Sequence, residues 1–246
     1  MMLNETRRPI ELPSRWMNQG GTLGFNPALS PSGCVFVTNP ISLRARVPST
    51  DRAFLSFPGG CLLHTGLPND GWRSVRRKYA AHWAQSSSPV WVHLISSDPD
   101  ELNEMVRQCE EMEGIAAIEL GLPPGCSRDL MRQLMLAACG ELPLVVHISL
   151  GEDTGLLERL PDGVSAVTLG TPRGALPAAG GRIIHGRLHG PGLFPQMLEG
   201  LINLKTLGIP LILAGICNLQ DAKAALNCGA AAVQIDHFCW DGPLPA

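Results

Sequence analysis

The sequence has no Cys-x-x-Cys pair, although it contains 8 cysteines. Their scatter, at Cys34, Cys61, Cys109, Cys126, Cys139, Cys217, Cys228 and Cys239, argues against an iron–sulfur or zinc site and against a secreted disulfide scaffold. Small core residues in a reducing compartment are the expectation. Positive charge is not in excess either. With 19 Lys and Arg against 22 Asp and Glu, the net charge is -3, which excludes the polyanion field of a nucleic-acid binder. No apolar stretch approaches the roughly 20 residues of a membrane span, and the segment from Met1 to Pro9 carries charge without an apolar signal core. A cytoplasmic protein without a membrane partner is predicted. Internal repeats, low-complexity tracts and linkers are absent, and no Ser/His/Asp or Cys/His nucleophile signature stands out.

What is present is a regular alternation of apolar runs and amphipathic segments. At 246 residues and 45% hydrophobic content, the chain suffices for one α/β barrel of about 250 residues, so a single domain over 1–246 is expected. Residues 1–32 are rich in Pro, Gly and Asn and read as an irregular N-terminal segment. Cys34 to Thr38 is β-branched and reads as a strand ending at Asn39-Pro40. Trp72, Val75, Tyr79 and Trp83 make one helical stripe, with the basic residues mostly off it. Strands at 90–95, 115–120, 144–148 and 164–169 follow, separated by helices near 98–112, 128–139 and 153–160. Asp98-Pro99 with Glu101 is a helix start in cap, N1 proline and first-turn acid. The segments Phe57 to Gly71 and Gly170 to Gly190 are rich in Gly and Pro and read as turns and a long excursion, respectively. After a helix at 191–207, the stretch Pro210 to Asp236 reads as strand, helix and strand, with Asn218 as N-cap and Gly229 past the helix end. Strands buried on both faces and alternating with helices argue a parallel sheet, and seven or eight of them argue closure into a (β/α)8 TIM barrel.

In such a barrel the chemistry sits at the C-terminal ends of the strands. Those positions hold Thr38 and Asn39, His64, His93, Glu119 and Gly121, His147 and Ser149, Gly170 and Thr171, Gly215, Asp236 and His237. A histidine cluster can act as an acid–base pair or hold a metal, while a buried histidine bonded to backbone does neither. No metal is assigned. Cys126, in the loop Gly121 to Ser127, lies where a catalytic thiol could sit, and is otherwise an ordinary loop cysteine.

Several segments together resemble the dihydroorotate dehydrogenase family of FMN barrels. They are Gly21-Thr-Leu-Gly-Phe25, Val37 to Arg46, Gly66-Leu-Pro-Asn69, Ala117 to Leu120, Pro143 to His147, Gly186 to Pro191 and 210–235, in the family's order. The resemblance implies that Gly21, Thr22, Asn39, Thr171, Gly190, Gly215, Ile216, Asp236 and His237 border FMN, and that His147, Cys126 and His64 are the candidate catalytic residues. It also implies a shortened C-terminus. Asn39 stands where the family has a lysine, His147 near its flavin N1 lysine, and Gly121 and Pro124 at an asparagine and at the catalytic base. Asp236-His237 replaces a Gly-Thr pair, which sets a carboxylate beside the phosphate position. The implied function is a divergent FMN-dependent oxidoreductase acting on a small molecule other than dihydroorotate. The alternatives are an FMN-less, non-catalytic barrel serving a protein partner as scaffold or regulatory subunit, and a cofactor-free enzyme using His64, His147 and His237. The family's habit of dimerising makes a homodimer the expected assembly.

Overall fold

Eight short strands carry side chains alternately inward and outward, and this alternation builds the core. The computed structural model describes residues 9–152, 157 and 160–242. In chain order its elements are β1 (Trp16–Asn18), β2 (Phe36–Val37), β3 (Ala53–Phe57), β4 (Gly60–His64), α1 (Trp72–Ala84), β5 (Val90–Ile95), α2 (Pro99–Glu110), β6 (Ile115–Gly121), α3 (Arg128–Ala138), β7 (Leu144–Ser149), β8 (Val164–Gly170), β9 (Arg173–Pro177), β10 (Ile183–His189), α4 (Phe194–Leu204), β11 (Leu211–Ile216), α5 (Leu219–Asn227) and β12 (Ala232–Ile235). Eight strands form a parallel sheet in the order β1-β12-β11-β8-β7-β6-β5-β2, and a parallel bridge between Met17 and Val35 joins its two ends into a (β/α)8 TIM barrel. The expected fold class is therefore observed.

Inside the barrel, Met17, Val35, Val37, Trp91, Ala117, Val145, Ala166, Ile212 and Ala232 form a compact apolar layer. Ile10 and Leu12 pack against it. The outward-facing partners, among them Val92, Leu94, Ile118, Leu120, Val146, Ile148 and Leu213, join the helices in the larger core. Trp72, Val75 and Trp83 of α1 are buried there as the stripe predicts. Asp98 and Asn218 cap α2 and α5 with side-chain oxygens that accept from backbone amides two or three residues on.

The segments Phe57 to Gly71 and Gly170 to Gly190, read as turns and a long excursion, contain β4, β9 and β10, and β3 lies just before the first of them. The stretches around 53–64 and 173–189 supply β3, β4, β9 and β10, which form a second, antiparallel sheet in the order β3-β4-β10-β9. The nominally irregular N-terminal segment also holds β1, which pairs with β12 and places Asn18 opposite Ile235. The predicted helix near 153–160 falls mostly outside the described residues. After β12 the described chain, residues 236–242, continues as turns.

Candidate functional site

The strand alternation that puts Trp91, Ala117, Val145, Ala166 and Ala232 inside the barrel brings the residue two positions later to the same side. These are His93, Glu119, His147, Thr168 and Gln234, and they form a polar layer above the apolar one. Glu119, fully buried, is its centre. His93 Nδ1 lies 2.6 Å from Glu119 Oε2, while Thr168 Oγ1 and Gln234 Nε2 donate to Oε1 at 2.8 and 2.6 Å. Burial pushes the Glu119 carboxyl up, but the His147 and His93 contacts outweigh it and hold the group well below the usual carboxylate range. Glu119 is thus an ionised acceptor, and His93 Nδ1–H donates to it.

His147 Nδ1 sits 3.7 Å from Glu119 Oε2, beyond hydrogen-bond length, and both ring nitrogens are buried without a partner. Its ring stands 5.6 Å from that of His93. Burial drives its pKa down to about 4 despite Glu119, so the ring is neutral near pH 7. Gly170 makes room for it, since a Cβ there would fall 2.2 Å from His147 Nε2.

A cavity of about 390 Å³ opens above this layer, between the strand ends and the antiparallel cap. Its floor includes Gln19, Gly20, His93, Gly121 and Ser149, and its roof includes Leu63, His64, Arg173, Arg187 and His189. Gly21, Thr22, Asn39, His64 and Pro124 line it. Thr22 and Asn39 are engaged in shaping the wall: Thr22 Oγ1 donates to the Gln19 carbonyl, and Asn39 Oδ1 accepts from the Gly24 amide. His64 Nε2 lies 3.1 Å from Ser49 Oγ.

The other candidates fall elsewhere. Cys126 packs against the outer core, and its thiol is pushed up chiefly by burial. Ser127 caps α3. Gly190 fits where the end of β10 crosses the β3–β4 turn. His147, Thr171, Gly215, Ile216, Asp236 and His237 do not line the cavity. The sequence did not single out His189, Arg173 or Arg187, because all three reach the site on cap strands hidden in a glycine-rich stretch.

The residues present do not fit the phosphate end of FMN. Asp236, at the place the family resemblance gives to that dianion, is fully buried, with His189 Nδ1 2.7 Å from its Oδ2 and the Phe238 amide donating to its Oδ1. The Cys239 amide is held by the Asp236 carbonyl, and Asp236 and Asp241 in turn donate their amides to the Ile216 and Cys217 carbonyls. The chain after β12 thus closes over the β11–α5 junction, with a carboxylate already in place. A second anion there would be repelled by a few kcal/mol at an effective dielectric near 20.

Fold and cavity together define a class, a capped (β/α)8 barrel with its ligand space at the C-terminal rim. Within that class the chain is similar to dihydroorotate dehydrogenases, in agreement with the resemblance read from its motifs. It is 26% identical over 221 residues to the catalytic subunit of dihydroorotate dehydrogenase B (NAD(+)) of Pyrococcus furiosus, a match covering 81% of this chain and 73% of that one. Against the corresponding subunit of Desulforamulus reducens it is 24% identical over 246 residues, covering 87% and 80%. A Pediococcus acidilactici protein assigned as a lactate oxidase shares the fold with a TM-score of 0.52 at 14% identity, covering 96% of this chain and 68% of that one. No protein-family model matches the chain.

Proposed function

We propose that the barrel binds a small anionic molecule in the cavity beneath its cap, without FMN docked through its phosphate. The observation that carries this reading is the convergence of Arg46, Arg173 and Arg187 on the cavity wall against one carboxylate among the described residues, Glu152. Burial pushes the Glu152 carboxyl up, which weakens it as an internal counter-ion. Among the described residues no carboxylate lies within ion-pair distance of Arg187. Burial and the neighbouring Arg173 lower its pKa, yet a guanidinium stays charged, so an incoming carboxylate or phosphate would meet a partly desolvated cation.

A second reading keeps flavin. It is supported by Gly21, Thr22 and Asn39 on the cavity wall and by the similarity to dihydroorotate dehydrogenases, and it makes the protein a divergent flavin-dependent oxidoreductase. The absorbance spectrum of freshly purified protein separates the two. Colourless protein that takes up no added FMN, yet gains thermal stability from small carboxylates or inorganic phosphate, is the expected result. A stoichiometric flavin spectrum overturns the first reading in favour of the second.

A further inference from the structure

Three cysteines scattered through the sequence meet at the end of the barrel where Asp236 sits. Cys61 on β4 is the register partner of His189 on β10, so both side chains leave the cap sheet on the same face. Cys217 directly follows β11, and Cys239 lies in the turn after β12, its amide donating to the Asp236 carbonyl at 3.1 Å. One sulfur each from Cys217 and Cys239 and one oxygen of Asp236 all lie within 4.8 Å of one another. Cys61, on the cap sheet, lies near Cys239. Asp236, Cys217 and Cys61 are buried and Cys239 is half-buried.

We infer that Cys61, Cys217, Cys239 and Asp236 form a tetrahedral site for a thiophilic divalent cation such as Zn²⁺. Three sulfurs and a carboxylate are a donor set for zinc and not for magnesium or calcium, which take oxygen ligands. Zn–S bonds of about 2.3 Å set tetrahedral sulfurs about 3.8 Å apart, so Cys217, Cys239 and Asp236 close by side-chain adjustment of roughly an ångström, and Cys61, outside their 4.8 Å group, turns further to complete the site. The carboxylate is already oriented, by His189 on Oδ2 and the Phe238 amide on Oδ1, as outer partners orient metal ligands. Four protein donors leave no open position, which makes the site structural, a clamp tying the turn after β12 to the β11–α5 junction and to the cap. Binding displaces the thiol protons to solvent, so affinity falls on acidification. The absence of a Cys-x-x-Cys pair argued against zinc, but the barrel gathers these ligands from three distant segments.

The test uses the full chain purified under reductant and assayed for bound metal by mass spectrometry, then stripped and titrated with Co²⁺. The expected results are one zinc per chain and, with cobalt, the thiolate charge-transfer band and intense visible bands of a tetrahedral sulfur site. Cys217→Ser and Cys239→Ser should weaken binding by more than about 100-fold, and His189→Ala by about 10- to 100-fold, the range for an outer partner, while Cys34→Ser binds as before. Should the serine variants fail to fold, the unmodified chain still decides: metal should protect Cys61, Cys217 and Cys239 from alkylation, and Cys126 should stay reactive. Reduced protein that takes up neither metal, or that shows a disulfide among these three cysteines after anaerobic purification, overturns the site. A flavin spectrum bears on the cavity reading and is distinct from the cobalt bands, so the two can fail separately.

Discussion

Arg187 holds a guanidinium at the inner edge of the cap with no carboxylate in ion-pair reach among the described residues, directly over the cavity. A charged hydrogen bond to a bound anion contributes about 1.5–3 kcal/mol, so Arg187→Gln should weaken binding of a small carboxylate roughly 10- to 150-fold. Arg187→Lys should restore only part of it, because an ammonium cannot reproduce the planar fork. Calorimetric titration reads both, and equal affinities in all three proteins would remove the argument for an anion site. Glu119 poses the opposite case, a charge already satisfied from three sides. Replacing it with alanine strands His93, Thr168 and Gln234 in the barrel interior, at a cost of about 3–5 kcal/mol as for other broken buried ionic contacts. Urea unfolding measures this, and a loss under about 1 kcal/mol would mean that Glu119 is not the anchor of that layer.

Among elements, helices and inner strands were legible because each carries a single strong period. The stripe of α1 and the caps of α2 and α5 could be placed from spacing alone, and His93 and His147 could be placed near the ends of two strands. The cap sheet was not legible. Its strands β9 and β10 are interrupted by Gly174, Gly186 and Pro177, and β10, besides its neighbour β9, pairs with β4 more than a hundred residues away. One signal was available: Pro58-Gly59 separates two short apolar runs by the two residues of a hairpin turn. Arg173, Arg187 and His189 depend on that sheet, so they were missed with it. Gly60 is where the cap is tightest, as a Cβ there would stand 2.1 Å from the His189 carbonyl oxygen. Gly60→Ala should therefore cost about 1–3 kcal/mol by overpacking and should expose the β3–β4 hairpin to limited proteolysis before the barrel. Cleavage no faster than in the parent protein would show that the cap tolerates the shift.

For the whole molecule, the polar layer inside the barrel couples folding to pH. In the unfolded chain His147 takes up a proton near pH 6.5, whereas folded His147 stays neutral down to about 4. Between these values the unfolded state binds more protons, so stability rises with pH across the window and is lost as pH falls through it. The shift corresponds to roughly 3 kcal/mol over the full interval, a large part of the marginal stability of a domain. Glu119 acts in the same direction further down. Its carboxyl remains ionised in the folded state well below 4.5, while the unfolded carboxylate protonates there, so stability continues to fall as the solution becomes more acid. The melting temperature should therefore decline steadily from pH 7 to pH 4, and His147→Gln, which carries no titrating ring, should flatten the upper part of that decline and leave the lower part in place. The comparison tests the layer itself, because net charge changes almost equally in both proteins. Parallel curves for parent and variant would mean that His147 meets water in the folded state, and that the barrel interior is wetter than its packing implies.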